Sequence, residues 1–117
     1  DSHAYDPITH LMLSVQGFGS IISQFRAMKY PWLALGGGGY DIWAVARGWA
    51  LAFGVMNNTE LSDVVPSEYA VQYGITSLRD DTSNFPSITE EVVGFTWQAA
   101  QSSVQQLRES LPHIFSG

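Results

Sequence analysis

The stretch Pro31-Trp32-Leu33-Ala34-Leu35-Gly36-Gly37-Gly38-Gly39-Tyr40-Asp41 decides the fold. A short apolar run stops at four glycines, and a tyrosine and an acid follow before a new apolar segment begins. Glycine gives up more backbone entropy on ordering than any other residue, so four in a row disfavour helix and strand alike. Such a run belongs where the backbone must come very close to something or take dihedrals closed to other residues. Pro31 lets a strand begin but not be crossed, so Trp32–Leu35 is expected as a short strand buried on both faces. Strand, glycine turn and helix in that order mark the place where open α/β sheets bind ligands. Tyr40, at the exit of the turn, would bring its hydroxyl there.

Outward from this stretch the chain is mostly helical. Residues 1–13 carry Pro7 and two acids and read as loop. From Ser14, a suitable N-cap, Phe18, Ile21, Ile22 and Phe25 fall on one helical face. Arg26 and Lys29 then suit the last turn of that helix. Asp41 is a good N-cap for a helix over Ile42–Met56, apolar nearly all round with Arg47 its lone charge. All-round apolarity means a large core or a membrane. The segment is about five residues short of the ~20 a bilayer needs, so core is the reading and no membrane is expected. Residues 57–86 are turn-rich, with one short helix near Ser67–Tyr73. Ser87-Ile88-Thr89-Glu90 has the capping-box pattern and opens a last helix over about Thr89–Leu111. Val93, Trp97, Ala100, Val104, Leu107 and Leu111 recur along it at spacings of four and three.

Composition narrows the class. Charged residues are 14% of the chain, against roughly 25% in an ordinary soluble domain. With 45% hydrophobic and 13% aromatic residues, there is more surface to bury than polar surface to show. One strand cannot make a sheet, and a strand buried on both faces needs neighbours on both edges. The chain is therefore expected to be a fragment of a longer polypeptide, its neighbours supplied by the missing N-terminal part of the domain or by an oligomer partner. No signal-peptide pattern opens it. The absence of cysteine excludes disulfides and thiolate zinc sites and fits a reducing, cytoplasmic location. A net charge of -6 argues against direct nucleic-acid binding, which wants a basic stripe.

Three roles compete for the glycine run. A phosphate cradle at a helix N-terminus lacks the Gly-x-Gly-x-x-Gly or Gly-Lys-Ser/Thr pattern, and Asp41 would contest the same amides, so a nucleotide-binding fragment is the weakest of the three. A sterically required turn without chemistry is the second. The third is a catalytic loop in which Tyr40 donates to a developing oxyanion.

Asp1-Ser2-His3-Ala4-Tyr5-Asp6-Pro7, followed by Leu35-Gly36-Gly37-Gly38-Gly39-Tyr40 and Ala46-Arg47-Gly48-Trp49, resembles the C-terminal third of the histone deacetylase family. The likeness is in particular to acetoin-utilization-type and deacetylase-like amidohydrolases. It covers residues 1 to about 74, with the last helix at about 88–111 beyond it. The whole chain, 1–117, is then expected to be the C-terminal portion of a deacetylase domain. The resemblance implies an α/β fold of arginase/deacetylase type, a mostly parallel sheet flanked by helices, to which this chain contributes helices and about one strand.

It also implies a site. Asp1 corresponds to one of two aspartates that, with a histidine, hold a zinc ion, and Tyr40 to the tyrosine that polarises the amide carbonyl. Ile8, Gly38 and Gly39 would line the acyl-lysine channel. The implied reaction is hydrolysis of an acetyl-amide, on acetyl-lysine in a protein, an acetylated polyamine or a smaller amide. Asp41 stands where the family has asparagine. The other zinc ligands and the family's histidine pair are outside this sequence, so the chain alone is expected to be inactive. His3, His10 and His113 read as residues without a catalytic role, and Asp6 as a loop cap. From a different class, a non-catalytic remnant binding a partner subunit remains open.

Overall fold

The computed structural model describes residues 2–9 and 11–115. The chain divides into two compact units, one running to Phe85 and the other starting at Pro86. The first holds helices α1 (Val15–Ala27), α2 (Ile42–Met56) and α3 (Ser67–Tyr73) and a 3-10 turn at Thr82–Asn84. The second holds α4 (Glu90–Ser110) and the short α5 (Pro112–Phe115). Among the described residues no helix is long and apolar enough to cross a membrane.

Helix α1 starts where its sequence says it should. Ser14 is extended, and its hydroxyl accepts the Gly17 N–H at 3.0 Å, satisfying one of the donors orphaned at a helix start. The helix packs against α2, but on a face turned from the expected one. Val15, Gly19 and Ile22 are buried, while Ile21 and Phe25 stay exposed. Gly19 explains the rotation: a Cβ there would sit 2.7 Å from Leu51 Cδ2. A larger residue there would force the Leu51 side chain to move.

Asp41 caps α2 by accepting the N–H groups of Trp43 and Ala44 at 2.9 and 3.1 Å. Ala44, Gly48, Leu51, Ala52 and Gly54 are buried, but Ile42, Trp43, Trp49 and Phe53 are exposed. The burial on all sides expected of α2 is therefore not met within this chain, because α1 covers one flank only.

Beyond α2 the backbone comes back to complete a small core. Val64 and Ser77 form an isolated antiparallel bridge, and the Leu78 N–H donates to Asp63 O at 2.6 Å. This sets Leu78 beside Val15 and Leu51, with Leu61 and Val65 packed around them. Helix α3 spans the residues expected and stops at Gly74, whose φ of 69° is the left-handed conformation common at helix ends.

The expected strand at Trp32–Leu35 does not form. Among the described residues there is no strand, only the bridge above and a parallel one between His3 and Leu13. Leu33 and Leu35 are 80% and 78% exposed, so burial on both faces is also overturned. A strand exists only by hydrogen-bonding to a neighbour on its edge, and nothing described here pairs with this segment. It runs as an irregular apolar loop into the glycines. The sheet of an α/β domain is accordingly not seen in this chain, which is helical.

In the second unit, Thr89 caps α4 through its hydroxyl, so the capping box opening at Ser87 is not used. Capping at Thr89 puts Glu90 and Glu91 in the first turn, where acids suit the helix dipole. The apolar series along α4, including Val93, Trp97 and Val104, is exposed.

Candidate functional site

The glycine run makes the turn for which its composition is suited. Gly38 and Gly39 have φ of 67° and 98°, values that L side chains resist. With the loop before them they form one wall of a cavity of about 600 Å3. Trp32 and Leu35 line it from the loop, Phe18 and Ile22 from α1, and Trp49 and Ala52 from α2. Such a mainly apolar hollow with a few polar groups at its edge is the usual form of a small-molecule site. Ser2 and His3 supply polar edges here.

Tyr40 follows the turn directly. Its side chain is 55% exposed, so packing does not hold the ring. What holds the residue is its backbone, whose N–H donates to Asp6 Oδ2 at 2.8 Å. Asp6 is 2% exposed. Its other oxygen, Oδ1, accepts the N–H groups of Ile8 and Thr9, both at 2.8 Å, and the Thr9 hydroxyl at 3.2 Å. Desolvation raises the Asp6 pKa. The N–H groups of Thr9, Tyr40 and Ile8 and the Thr9 hydroxyl outweigh it and hold the carboxyl well below the usual carboxylate range. Asp6 is thus the loop cap its position promised, with a second attachment thirty-four residues away.

A second polar cluster lies at the root of the loop. His3 is 4% exposed, with Nε2 3.2 Å from Asp80 Oδ2 and Nδ1 3.5 Å from Asp41 Oδ2. Asp80 Oδ2 also accepts the Val15 N–H at 2.6 Å, and its Oδ1 accepts from Arg47 Nη1 at 2.8 Å. Gln16 bonds the Asp80 backbone in both directions, at 3.0 and 3.1 Å. Burial raises the Asp80 pKa, but the Val15 N–H, Arg47 and the His3 side chain hold it below the ordinary value. This cluster ties the N-terminal loop, the start of α1, α2 and the segment after α3 to one carboxylate. His3 is therefore a buried structural contact and not a passive loop residue.

Of the residues singled out for the site, Asp1 lies outside the described residues, as does His10. Gly38 and Gly39 line the cavity. Ile8 is 61% exposed and does not line it, nor does Tyr40. Asp6 is what brings Ile8 and Tyr40 together, through their backbones. Asp80 went unrecognised in the sequence because it sits in a turn-rich stretch, sixty-five residues from Val15. The available signal was Arg47: a lone charge on an apolar helix is rarely buried without a partner.

The described residues do not by themselves fit a zinc ion. No group of three His, Cys, Asp or Glu side chains among them is placed to hold a metal. The Asp6 carboxylate is occupied by four donors, and both ring nitrogens of His3 face protein groups.

Residues 1–56 match the family model described as the histone deacetylase domain. The chain is 37% identical over 79 residues to the acetoin utilization protein AcuC of Bacillus subtilis, covering 62% of this chain and 20% of that protein. It is 39% identical over 75 residues to histone deacetylase 1 of Oryza sativa (63% and 14% covered) and 33% identical over 75 residues to histone deacetylase RPD3 of Saccharomyces cerevisiae (63% and 17%). Over this part of the chain, the matches support membership of the histone deacetylase family. It spans a fifth or less of the length of these relatives. No solved structure matches it.

Proposed function

We propose that the chain is the C-terminal part of a zinc-dependent deacetylase that hydrolyses an acetyl-amide, with Tyr40 as its catalytic hydroxyl. The supporting observation is the positive-φ turn at Gly38 and Gly39, which line the cavity and directly precede Tyr40 in the chain. In this reading the Tyr40 hydroxyl donates to the carbonyl oxygen of the scissile amide. The bond strengthens as attack on the carbonyl carbon pushes negative charge onto that oxygen, so it favours the transition state over the bound substrate. Gly38 and Gly39 keep the channel wall free of side chains, and Ile8 lies on the neighbouring loop. Asp1 would give one of the three protein ligands that a catalytic zinc needs, the others lying outside this chain. The substrate is an acetyl-lysine, an acetylated polyamine or a similar amide, and the enzyme works in the cytoplasm.

The test is hydrolysis of an acetyl-lysine peptide and an acetylpolyamine by the complete protein. Turnover of either, lost on removal of zinc, supports the proposal. No turnover by well-folded, zinc-loaded protein would turn the reading to a non-catalytic module. The exposed Leu33, Leu35 and Phe53 would then be its contact surface.

A further inference from the structure

We propose that Asp6 is a positioning residue for Tyr40, its buried carboxylate joining the Ile8 loop to the exit of the glycine run. The inference rests on the reading of Tyr40 as the catalytic hydroxyl.

Two glycines with positive φ precede Tyr40, and glycine is the residue that constrains its successor least. The tyrosine ring is half exposed, so it has no packed socket to stand in. Left to these neighbours, the hydroxyl would wander over distances that ruin catalysis, since a misplacement of about 1 Å can cost about 100-fold. The structure supplies two anchors. On the C-terminal side, Asp41 caps α2. On the N-terminal side, the Tyr40 N–H is held by Asp6 Oδ2 at 2.8 Å.

The two carboxylate oxygens divide the work. Among the described residues, three donors from the local loop, Ile8 N, Thr9 N and Thr9 Oγ1, converge on Oδ1. That is enough to cap the turn. Oδ2 accepts the distant Tyr40 N–H, a contact that reaches beyond the loop. With Asp6 2% exposed, water has little access to compete for either oxygen. The same carboxylate therefore fixes the separation between the Ile8 backbone and the Tyr40 backbone, two sides of the proposed channel.

The test is a double-mutant cycle in the complete protein, measuring kcat and KM for an acetyl-lysine peptide. Asp6→Asn keeps the size of the side chain but replaces one of its two acceptor oxygens with a donor. It should lower kcat about 10-fold or more with KM changed less than kcat. In the Tyr40→Phe background the same change should cost almost nothing further, because the hydroxyl being positioned is already gone. Equal losses in both backgrounds, or no loss in the first, would overturn the proposal and leave Asp6 a structural cap. If Asp6→Asn does not fold, Asp6→Glu, which keeps the charge and moves it by one methylene, runs the same cycle under the same criteria. Full activity of Tyr40→Phe alone would instead remove the catalytic assignment on which the proposal rests, a result separable from the others.

Discussion

Arg47 Nη1 and Asp80 Oδ1 lie 2.8 Å apart, with side chains 11% and 7% exposed. The pair joins the middle of α2 to a segment beyond the 1–56 stretch that matches the deacetylase family model. Arg47 also donates to Leu78 O at 3.3 Å and to Trp43 O at 2.9 Å. Its guanidinium thus spans the join between helix and returning backbone. Replacing Arg47 with alanine removes the guanidinium from a mostly buried carboxylate and leaves Asp80 to the Val15 N–H, Gln16 and His3. A loss of about 2–3 kcal/mol is expected in urea denaturation of the complete protein. An effect below the error of the extrapolation would mean that the pair is not formed in solution.

Asp80 should also make stability depend on pH. Its native pKa is depressed from 3.8, so the native state holds the charged form more favourably than the unfolded chain does. The contribution is complete above the unfolded value and fades as pH falls through it toward the lower native value. Wild type and Asp80→Asn should therefore differ most in Tm near neutrality and converge in acid. A gap that widened on acidification would have the wrong sign.

Tyr40→Phe in the complete protein should lower kcat by about 100- to 1,000-fold, the usual cost of losing one oxyanion donor. KM and zinc content should change little, because the ring remains and no metal ligand is touched. Near-normal turnover of an acetyl-lysine peptide would take Tyr40 out of the chemistry.

Glycines within the run should differ in what they tolerate. Gly39 has φ of 98°, and an alanine there would be strained by about 1–3 kcal/mol. Gly37 lacks a positive φ, and a Cβ placed on it meets nothing within 4 Å. Gly39→Ala should depress both activity and Tm, and Gly37→Ala should leave Tm within about 2 °C of the wild type. Equal sensitivity at the two positions would contradict the backbone geometry.

The 117-residue chain should bind zinc weakly. One candidate carboxylate, Asp1, is too few where a catalytic zinc takes three protein ligands. Isothermal calorimetry decides: submicromolar affinity would show that this chain completes a site from residues otherwise engaged.

Local signals in the sequence were legible. Ser14 and Asp41 announced their helices because an N-cap acts within three residues of itself, and α3 ended where Gly74 allowed. The family was readable from the Asp1–Pro7 and Leu35–Tyr40 motifs. What could not be read were the contacts between distant segments. Trp32–Leu35 has the composition of a buried strand, but a strand is a relation between neighbours, and none of the described residues pairs with it. The buried face of α1 differs from the one marked by its large apolar side chains, Phe25 among them, because Gly19 lies on the line of contact with Leu51. His3 and Asp80, seventy-seven residues apart, leave no periodic trace at all.

That separation has a kinetic consequence. Helices α1 and α2 are close in sequence and can find one another early, since short loops close at little entropic cost. His3 and Arg47 must wait for an acceptor that emerges on the ribosome only after α2 and α3 have been made. Until Asp80 arrives, the Val15 N–H and Arg47 Nη1 lack their carboxylate acceptor, and the N-terminal loop is held to the rest by Asp41, Leu13 and the Asp6–Tyr40 contact. The joins that Asp80 makes to His3, Val15 and Arg47 are thus among the last contacts of the first unit that can form.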